Sequence, residues 1–128
     1  MSSCRILVAD DQPDVRSALK MLLERHSGWT VCGEATDGTQ AVKRTVELKP
    51  DIVLLDISMP KLNGLMAARL IREKAPDSKI IFLTLHDTIA MARIASEAGA
   101  ASYVTKSLAT TNLVPEIEAV QSKMRLNQ

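Results

Sequence analysis

The apolar run at residues 52–55 constrains the fold more than any other stretch of this chain. It reads Ile, Val, Leu, Leu, which is typical of a strand buried on both faces of a sheet. The run ends at the carboxylate of Asp56, and Pro60 follows four residues later. Proline cannot donate a hydrogen bond to a sheet, so we expect the strand to end before Pro60. An acid therefore lies at the carboxyl end of a buried strand, the edge at which open α/β sheets bind ligands.

The rest of the chain alternates between strand patterns and helix patterns. Four further apolar runs predict strands, at residues 5–9, 29–34, 79–84 and 101–105. Apolar side chains recur at helical spacing at residues 15–23, 41–46, 65–72, 88–98 and 113–124. Asp37-Gly38 and Asn63-Gly64 predict turns, and Pro115 is expected in the first turn of the last helix. Strict alternation predicts an α/β fold with a five-stranded parallel sheet covered on both faces by five helices.

Composition indicates one domain over residues 1–128 with an aliphatic core. Hydrophobic residues make up 46% of the chain and aromatic residues only 2%. The formal net charge of +1 indicates no general attraction to nucleic acid or membrane, and no apolar run is long enough to span a bilayer. The N-terminus lacks a signal-peptide pattern, so we expect a cytoplasmic protein. Cys4 and Cys32 lack CxxC spacing and are expected to be free thiols.

Reactive side chains follow four of the five predicted strands at their carboxyl ends. They are Asp10, Asp11, Asp56, Thr84 and Lys106. Because these ends share one edge of a parallel sheet, we expect the side chains to converge. Crowded carboxylates repel each other unless a cation joins them, and all-oxygen ligands favour Mg²⁺. The amine and the hydroxyl would suit an anion on the same metal, so the group is equipped to accept a phosphoryl group.

Each of these residues also has a simpler interpretation. The Asp10-Asp11 pair could cap the N-terminus of the first helix. Thr84 alone could be an ordinary strand residue, and Lys106 alone a solvated surface charge. Asp56 alone could begin a turn. Five such residues at four matching strand ends favour a site over coincidence.

The motifs at the strand ends resemble those of a known family. In this order and spacing they fall at residues 8–11, 54–60, 63–64, 83–84 and 103–106. The chain resembles a response-regulator receiver domain of two-component signalling from about residue 5 to about residue 120. The segments at residues 33–38 and 84–87 most resemble receivers of LuxR/NarL-type transcription regulators. The resemblance implies a doubly wound, flavodoxin-like sheet with strand order 2-1-3-4-5.

The resemblance also implies an acceptor and a metal site. Asp56 would be the phosphorylation site. Asp11 and Asp56 would ligate Mg²⁺ directly, with the backbone carbonyl of Ser58 as a third ligand and Asp10 acting through water. The family is regulatory, so the only chemistry expected is self-catalysed phosphotransfer and dephosphorylation.

Further residues receive roles from the same resemblance. Lys106 would pair with the phosphoryl oxygens. Thr84 would move to hydrogen-bond the phosphoryl group, and Tyr103 would rotate inward behind it as part of the switch. Leu85 and His86 would form the rim of the site, where Leu85 stands in place of the small residue that is common there.

The implied partners follow from the family. The phosphoryl donor would be a sensor histidine kinase or a phosphotransfer protein. The fourth helix, fifth strand and fifth helix would carry the signal, with homodimerisation through that face. The output would be transcription through a C-terminal DNA-binding domain that these 128 residues do not contain. No direct contact of this chain with DNA or membrane is expected.

Two other functions remain open at this point. A pseudo-receiver would keep the fold as a protein-interaction module without phosphorylation, and the intact acids, Thr84 and Lys106 argue against it. A haloacid-dehalogenase-like phosphohydrolase would need a second acid two residues after the nucleophile, where this chain has Ser58.

Overall fold

The computed structural model describes residues 3–85 and 88–126, and its centre is a parallel five-stranded sheet. The strands are β1 (Cys4–Ala9), β2 (Trp29–Ala35), β3 (Ile52–Asp56), β4 (Lys79–Thr84) and β5 (Ser102–Thr105). They lie side by side in the order β2-β1-β3-β4-β5, and every neighbouring pair is parallel. The predicted strand order and strand direction are confirmed.

Within the described residues, five α-helices connect and follow these strands. They are α1 (Pro13–Glu24), α2 (Gly38–Leu48), α3 (Gly64–Lys74), α4 (Ile89–Glu97) and α5 (Ala109–Leu126). One 3₁₀ turn, Lys106–Leu108, leads from β5 into α5. Of the helices that the structure describes, none has both the length and the apolar character needed to cross a membrane.

The two predicted turns are helix starts, so that part of the prediction was wrong. Asp37 and Asn63 are N-cap residues, and each side chain accepts a hydrogen bond from the backbone N–H three residues later. The glycine after each is the first residue of α2 or α3. A capping side chain and a turn residue draw on the same short polar side chains, so the dipeptide alone does not separate the two structures.

The prediction for Pro115 was also wrong, because α5 begins earlier than its apolar spacing indicates. Pro115 is the seventh residue of α5, which places it in the second turn. The helix begins early because the 3₁₀ turn at Lys106–Leu108 runs directly into it. Proline donates no hydrogen bond to Thr111 four residues earlier, but both residues are exposed, so water can satisfy that carbonyl.

The core lies on both faces of the sheet. On one face, alternate strand residues pack with side chains of α1 and α5, a cluster that includes Ile6, Val8, Leu54, Ile81, Leu113 and Ile117. On the other face, the intervening strand residues pack with α2, α3 and α4, a cluster that includes Leu7, Val53, Leu55, Phe82, Ala68 and Ile71. Every residue of β3 is buried. The central strand is therefore held from both sides, which fixes the position of its last residue, Asp56.

A polar contact ties the C-terminal half of α5 to the start of β2. Trp29 donates a buried hydrogen bond from Nε1 to Oε1 of Gln121, at 3.3 Å. The ring of His26 stacks on Trp29 with centroids 3.7 Å apart, and its Nε2 lies 3.3 Å from Oε2 of Glu118. Because Lys106 begins the 3₁₀ turn that leads into α5, this contact helps to fix the helix that follows that lysine.

The pairing of β1 with β2 contains one irregularity. Ile6 pairs with Val31 but Leu7 pairs with Gly33, so Cys32 is an extra residue in β2. β2 is an edge strand of the sheet. Cys4 and Cys32 are free thiols, as predicted, and Cys4 is buried whereas Cys32 is only partly buried.

Candidate functional site

Two buried aspartates meet at the carboxyl edge of the sheet because the strands that carry them are neighbours. Asp56 is the last residue of β3 and Asp10 directly follows β1. Asp10 donates its backbone N–H to Ala35 O at 3.0 Å, which holds it at the end of β2. Asp10 is 0% exposed and Asp56 is 3% exposed. Two carboxylates are therefore removed from water side by side, an arrangement that costs free energy unless a cation compensates it.

Lys106 supplies part of that compensation. Its Nζ lies 2.8 Å from Oδ2 of Asp10 and 3.1 Å from Oδ2 of Asp56. Burial by itself lowers the pKa of the Lys106 ammonium, but the close contacts to the two carboxylates and their charges outweigh it and leave that pKa above its usual value. Lys106 is therefore a protonated cation at neutral pH, and the solvated-surface interpretation of this lysine was wrong.

The environment of Asp56 disfavours its charge. Burial raises the pKa of the Asp56 carboxyl, and the negative charge of Asp10 raises it further. Lys106 and the N–H of Ser58, which donates to Oδ1 of Asp56 at 3.1 Å, lower the pKa only in part. Any further cation at the site would therefore stabilise the ionised form of Asp56.

Asp10 and Asp11 do not cap α1 with their side chains. The N-cap of α1 is Gln12, whose side chain makes no capping hydrogen bond. Asp10 instead accepts the N–H of Gln12 on its Oδ1, at 2.9 Å. Asp11 is exposed. The pair thus turns the chain out of β1 and presents one buried and one exposed carboxylate at the site.

The three carboxylates fit a divalent cation. Asp10, Asp11 and Asp56 each offer an oxygen, and these oxygens lie within 4.8 Å of one another. Oδ2 of Asp10 is buried, and it contacts the ammonium of Lys106 at 2.8 Å. Three carboxylates and one ammonium leave a formal charge of about −2. Hard oxygen ligands with this excess charge suit Mg²⁺.

The remaining predicted residues that the structure describes lie at or near the carboxyl ends of β3, β4 and β5. Thr84 is buried at the end of β4 and pairs in register with Thr105 of β5. Tyr103 is partly buried in β5, two residues before Thr105, and Leu85 is 69% exposed next to Thr84. Ser58 is exposed in the loop after β3. His86, the other predicted rim residue, lies outside the described residues.

One residue near the site was missed by the sequence analysis. Arg16 in α1 donates from Nη1 to the backbone carbonyl of Asp10 at 2.8 Å and from Nε to Oε1 of Glu34 at 3.0 Å. The only signal in the sequence is an arginine six residues after the first aspartate, on a predicted helix. That signal does not distinguish this partly buried arginine from a solvated one.

A family model described as the response regulator receiver domain matches residues 6–118. The chain belongs to this family. The receiver domain is 39% identical over 120 residues to the response regulator UvrY of Escherichia coli (strain K12), a match that covers 94% of this chain and 55% of UvrY. It is 38% identical over 116 residues to the chemotaxis protein CheY of Thermotoga maritima, covering 91% of this chain and 96% of CheY.

A solved structure supports the subfamily as well. The crystal structure of a two-component response regulator of the LuxR family from Aurantimonas sp. SI85-9A1 matches with a TM-score of 0.90 and 40% identity, covering 94% of this chain and 86% of that one. The resemblance to LuxR/NarL-type receivers is confirmed. The receiver domain spans about half the length of curated relatives such as UvrY and the response regulator GacA of Pseudomonas viridiflava.

Membership places the protein in phosphorelay signalling. Receiver domains are regulatory modules of two-component systems, they bind Mg²⁺ through acidic residues, and they interact with histidine kinases or phosphotransfer proteins. The match does not favour the phosphohydrolase or the pseudo-receiver alternative.

Proposed function

We propose that this receiver domain accepts a phosphoryl group on Asp56 and switches conformation in response. The observation that carries the proposal is the position of Asp56. Its carboxylate is buried at the end of the central strand, 3.1 Å from the ammonium of Lys106 and beside two further carboxylates. A nucleophile, a fixed cation and a metal-binding acid cluster are the parts that phosphoryl transfer requires.

The proposed step exchanges one bond to phosphorus for another. A carboxylate oxygen of Asp56 attacks the phosphorus of a phosphohistidine on a sensor histidine kinase or phosphotransfer protein. The phosphorus–nitrogen bond breaks, the imidazole leaves with its electron pair, and an acyl phosphate forms on Asp56. Lys106 moves from carboxylate to phosphoryl oxygen as negative charge arrives, and its raised pKa keeps it protonated for that role.

Four groups are proposed to hold the metal. Asp11 and Asp56 would contact Mg²⁺ directly with the backbone carbonyl of Ser58, and Asp10 would act through water. The ion supplies positive charge that offsets the repulsion between these carboxylates and the incoming phosphoryl oxygens. The spacing of the acids supports this assignment, since one carboxylate oxygen each of Asp10, Asp11 and Asp56 lies within 4.8 Å of the others.

Thr84 and Tyr103 are proposed to read the phosphorylation state. Thr84 ends the strand next to β3 and would hydrogen-bond the phosphoryl group, and Tyr103 would turn inward on β5. A new charge of about −2 that contacts Thr84 in only one state shifts the population toward that state. Leu85 and His86 are assigned to the rim, through which the donor approaches.

The experiment is phosphorylation with acetyl phosphate and MgCl₂, followed by intact mass spectrometry. We expect one phosphoryl group on the wild-type protein and none on Asp56→Asn. Asp51→Asn is the matched control, because Asp51 directly precedes the same strand at its opposite end, where it accepts the backbone N–H of Arg5 at 2.8 Å. That variant should be labelled normally. Labelling of Asp56→Asn, or no labelling of wild type, would contradict the proposal.

The output is proposed to be transcription. The support is the match to relatives named as transcriptional regulators, of which the receiver domain covers about half. The DNA contact would then belong to a domain beyond these 128 residues, in a cytoplasmic protein. The full open reading frame tests this part, because a frame without a DNA-binding domain would contradict it.

Signalling through α4, β5 and α5, with homodimerisation on that face, is the last part of the proposal. Leu85 and Ile89 are large apolar side chains near the start of α4, 69% and 93% exposed. We expect light scattering to show a larger mass after phosphorylation, and an Ile89→Glu variant to lose that increase while still being labelled. A mass that does not respond to phosphorylation would contradict the dimer.

A further inference from the structure

Arg16 links α1 to the end of β1 and to β2, beside the cluster formed by Asp10, Asp11 and Asp56. Its guanidinium donates to the carbonyl oxygen of Asp10 at 2.8 Å and to the carboxylate of Glu34 at 3.0 Å. The Arg16 side chain is only 14% exposed, whereas that of Glu34 is 43% exposed. A mostly buried arginine with two directed hydrogen bonds has a defined position, unlike a solvated arginine on a helix surface.

The position of Arg16 follows from its place in α1. It is the fourth residue of the helix, and its own N–H donates to Gln12 O at 3.1 Å. Side chains on a helix tilt toward the N-terminus, so an arginine in the first turn reaches back over the residues that precede the helix. Those residues are Asp10 and Asp11.

The carbonyl that Arg16 binds belongs to the peptide joining the two aspartates. The other groups of Asp10 are held separately, its N–H by Ala35 O at 3.0 Å and its Oδ1 by the N–H of Gln12 at 2.9 Å. Because a peptide unit is planar, fixing this carbonyl also fixes the direction in which the chain enters Asp11. Asp11 itself is exposed, so its backbone sets where its carboxylate can lie.

We propose that Arg16 is a positioning residue, which orients the Asp10–Asp11 peptide so that both carboxylates can serve one divalent cation. The inference rests on the proposed function, since it assigns Arg16 a role at the same metal site. Groups that hydrogen-bond a metal ligand without touching the metal commonly tune metal affinity by fixing the geometry of that ligand.

The charge of Arg16 and its geometry predict opposite effects on metal binding. A guanidinium beside the site repels a divalent cation, so charge alone predicts tighter Mg²⁺ binding after Arg16→Ala. Positioning predicts weaker binding, because the Asp10–Asp11 peptide is released. The direction of the change therefore decides between the two roles.

The experiment is a titration of the metal-free protein with MgCl₂. The NMR chemical shifts of the backbone amides at residues 10–12 and 56–58 report the affinity for Mg²⁺. We expect Arg16→Ala to weaken Mg²⁺ binding about tenfold, the low end for loss of a group that supports a ligand. Arg16→Lys keeps the charge but loses the two-pronged donor, and should lie between Arg16→Ala and wild type. Glu34→Gln is the matched control, because it removes an exposed ion pair and leaves the bond to Asp10, so its affinity should stay within about twofold of wild type.

The outcomes separate the inference from the proposed function. If wild type binds Mg²⁺ and folded Arg16→Ala binds it equally or more tightly, the positioning role is overturned while the metal site stands. If wild type does not bind Mg²⁺, the metal site itself is overturned. If Arg16→Ala does not fold, the comparison of Arg16→Lys with Glu34→Gln decides, because equal affinities in those two variants would overturn the positioning role.

Discussion

The substitution Gly64→Ala tests how closely the start of α3 approaches the site. A Cβ built on Gly64 lies 2.3 Å from the carbonyl oxygen of Asp56 and 2.6 Å from Cα of Ile57. Both are backbone atoms, so neither can rotate away as the end of a side chain would. Ordinary contact begins near 3.4 Å, so the helix start and the loop after β3 must separate by about 1 Å.

The magnitude follows from what this separation disrupts. Overpacking against rigid atoms costs about 1–3 kcal/mol. The hydrogen bond from Gly64 N–H to Ile57 O, at 2.8 Å, would be lost or weakened, at about 1 kcal/mol. Alanine returns about 0.4–1 kcal/mol by restricting the unfolded chain. We expect a net loss of about 2 kcal/mol, which lowers the urea midpoint by about 1 M.

Urea unfolding and the rate of labelling by acetyl phosphate are the two assays. Gly33→Ala is the control, because its Cβ would meet only the ends of leucine side chains, Leu48 Cδ1 at 2.7 Å and Leu7 Cδ1 at 3.2 Å. Gly64→Ala should also slow labelling by up to about 10²-fold, since it displaces the backbone of the acceptor Asp56. A urea midpoint for Gly64→Ala equal to that of wild type would refute this reasoning. So would a decrease in the free energy of unfolding no larger than that of Gly33→Ala.

Three further predictions concern charge at the site and the cysteines. Burial and the charge of Asp10 raise the pKa of Asp56, so this carboxyl binds a proton more readily in the folded protein than in the unfolded chain. Without metal, Asp56→Asn should therefore have a larger free energy of unfolding than wild type at pH 7.5. The difference should shrink as the pH falls through the raised pKa. Urea unfolding between pH 5 and pH 8 checks this, and equal stabilities at every pH would contradict it. Lys106→Met leaves two buried carboxylates without their cation and should cost about 3 kcal/mol at pH 7.5 without Mg²⁺; an unchanged urea midpoint would show that the ion pairs contribute nothing. Burial raises the pKa of Cys4 to about 12, so in native protein at pH 8 iodoacetamide should modify Cys32 first, as peptide mass mapping would show. Faster modification of Cys4 would be inconsistent with its burial.

The sequence is sufficient to predict the five strands and their parallel arrangement, because each strand has its own local pattern and the five patterns agree with one another. Each strand ends at a polar residue or directly before one, and strict alternation with helices leaves few topologies. The same logic predicts that Asp10, Asp11 and Asp56 lie together, because the carboxyl ends of parallel strands share one edge. The strand order itself came from the family resemblance, since composition and spacing do not determine which strands are neighbours.

Features that depend on how neighbouring elements pack or join were not predictable from the sequence pattern. Asn63-Gly64 looked like a turn because a sequence does not show that the backbone of Asp56 passes within 2.3 Å of the glycine Cβ position. Pro115 was placed one turn too early because the start of α5 is set by the 3₁₀ turn before it. Arg16 was missed because its two hydrogen-bond partners come close only in the folded chain. They are the carbonyl of Asp10, six residues earlier, and the carboxylate of Glu34 on β2.

The extra residue in β2 has a consequence for how copies of the protein meet. β2 is an edge strand, and a regular edge offers unpaired N–H and C=O groups to any strand from another molecule. The bulge at Cys32 interrupts that row and increases the local twist, so a straight incoming strand finds no continuous register. The bulge thereby protects one edge of the sheet from fibre-like stacking against another copy of the protein.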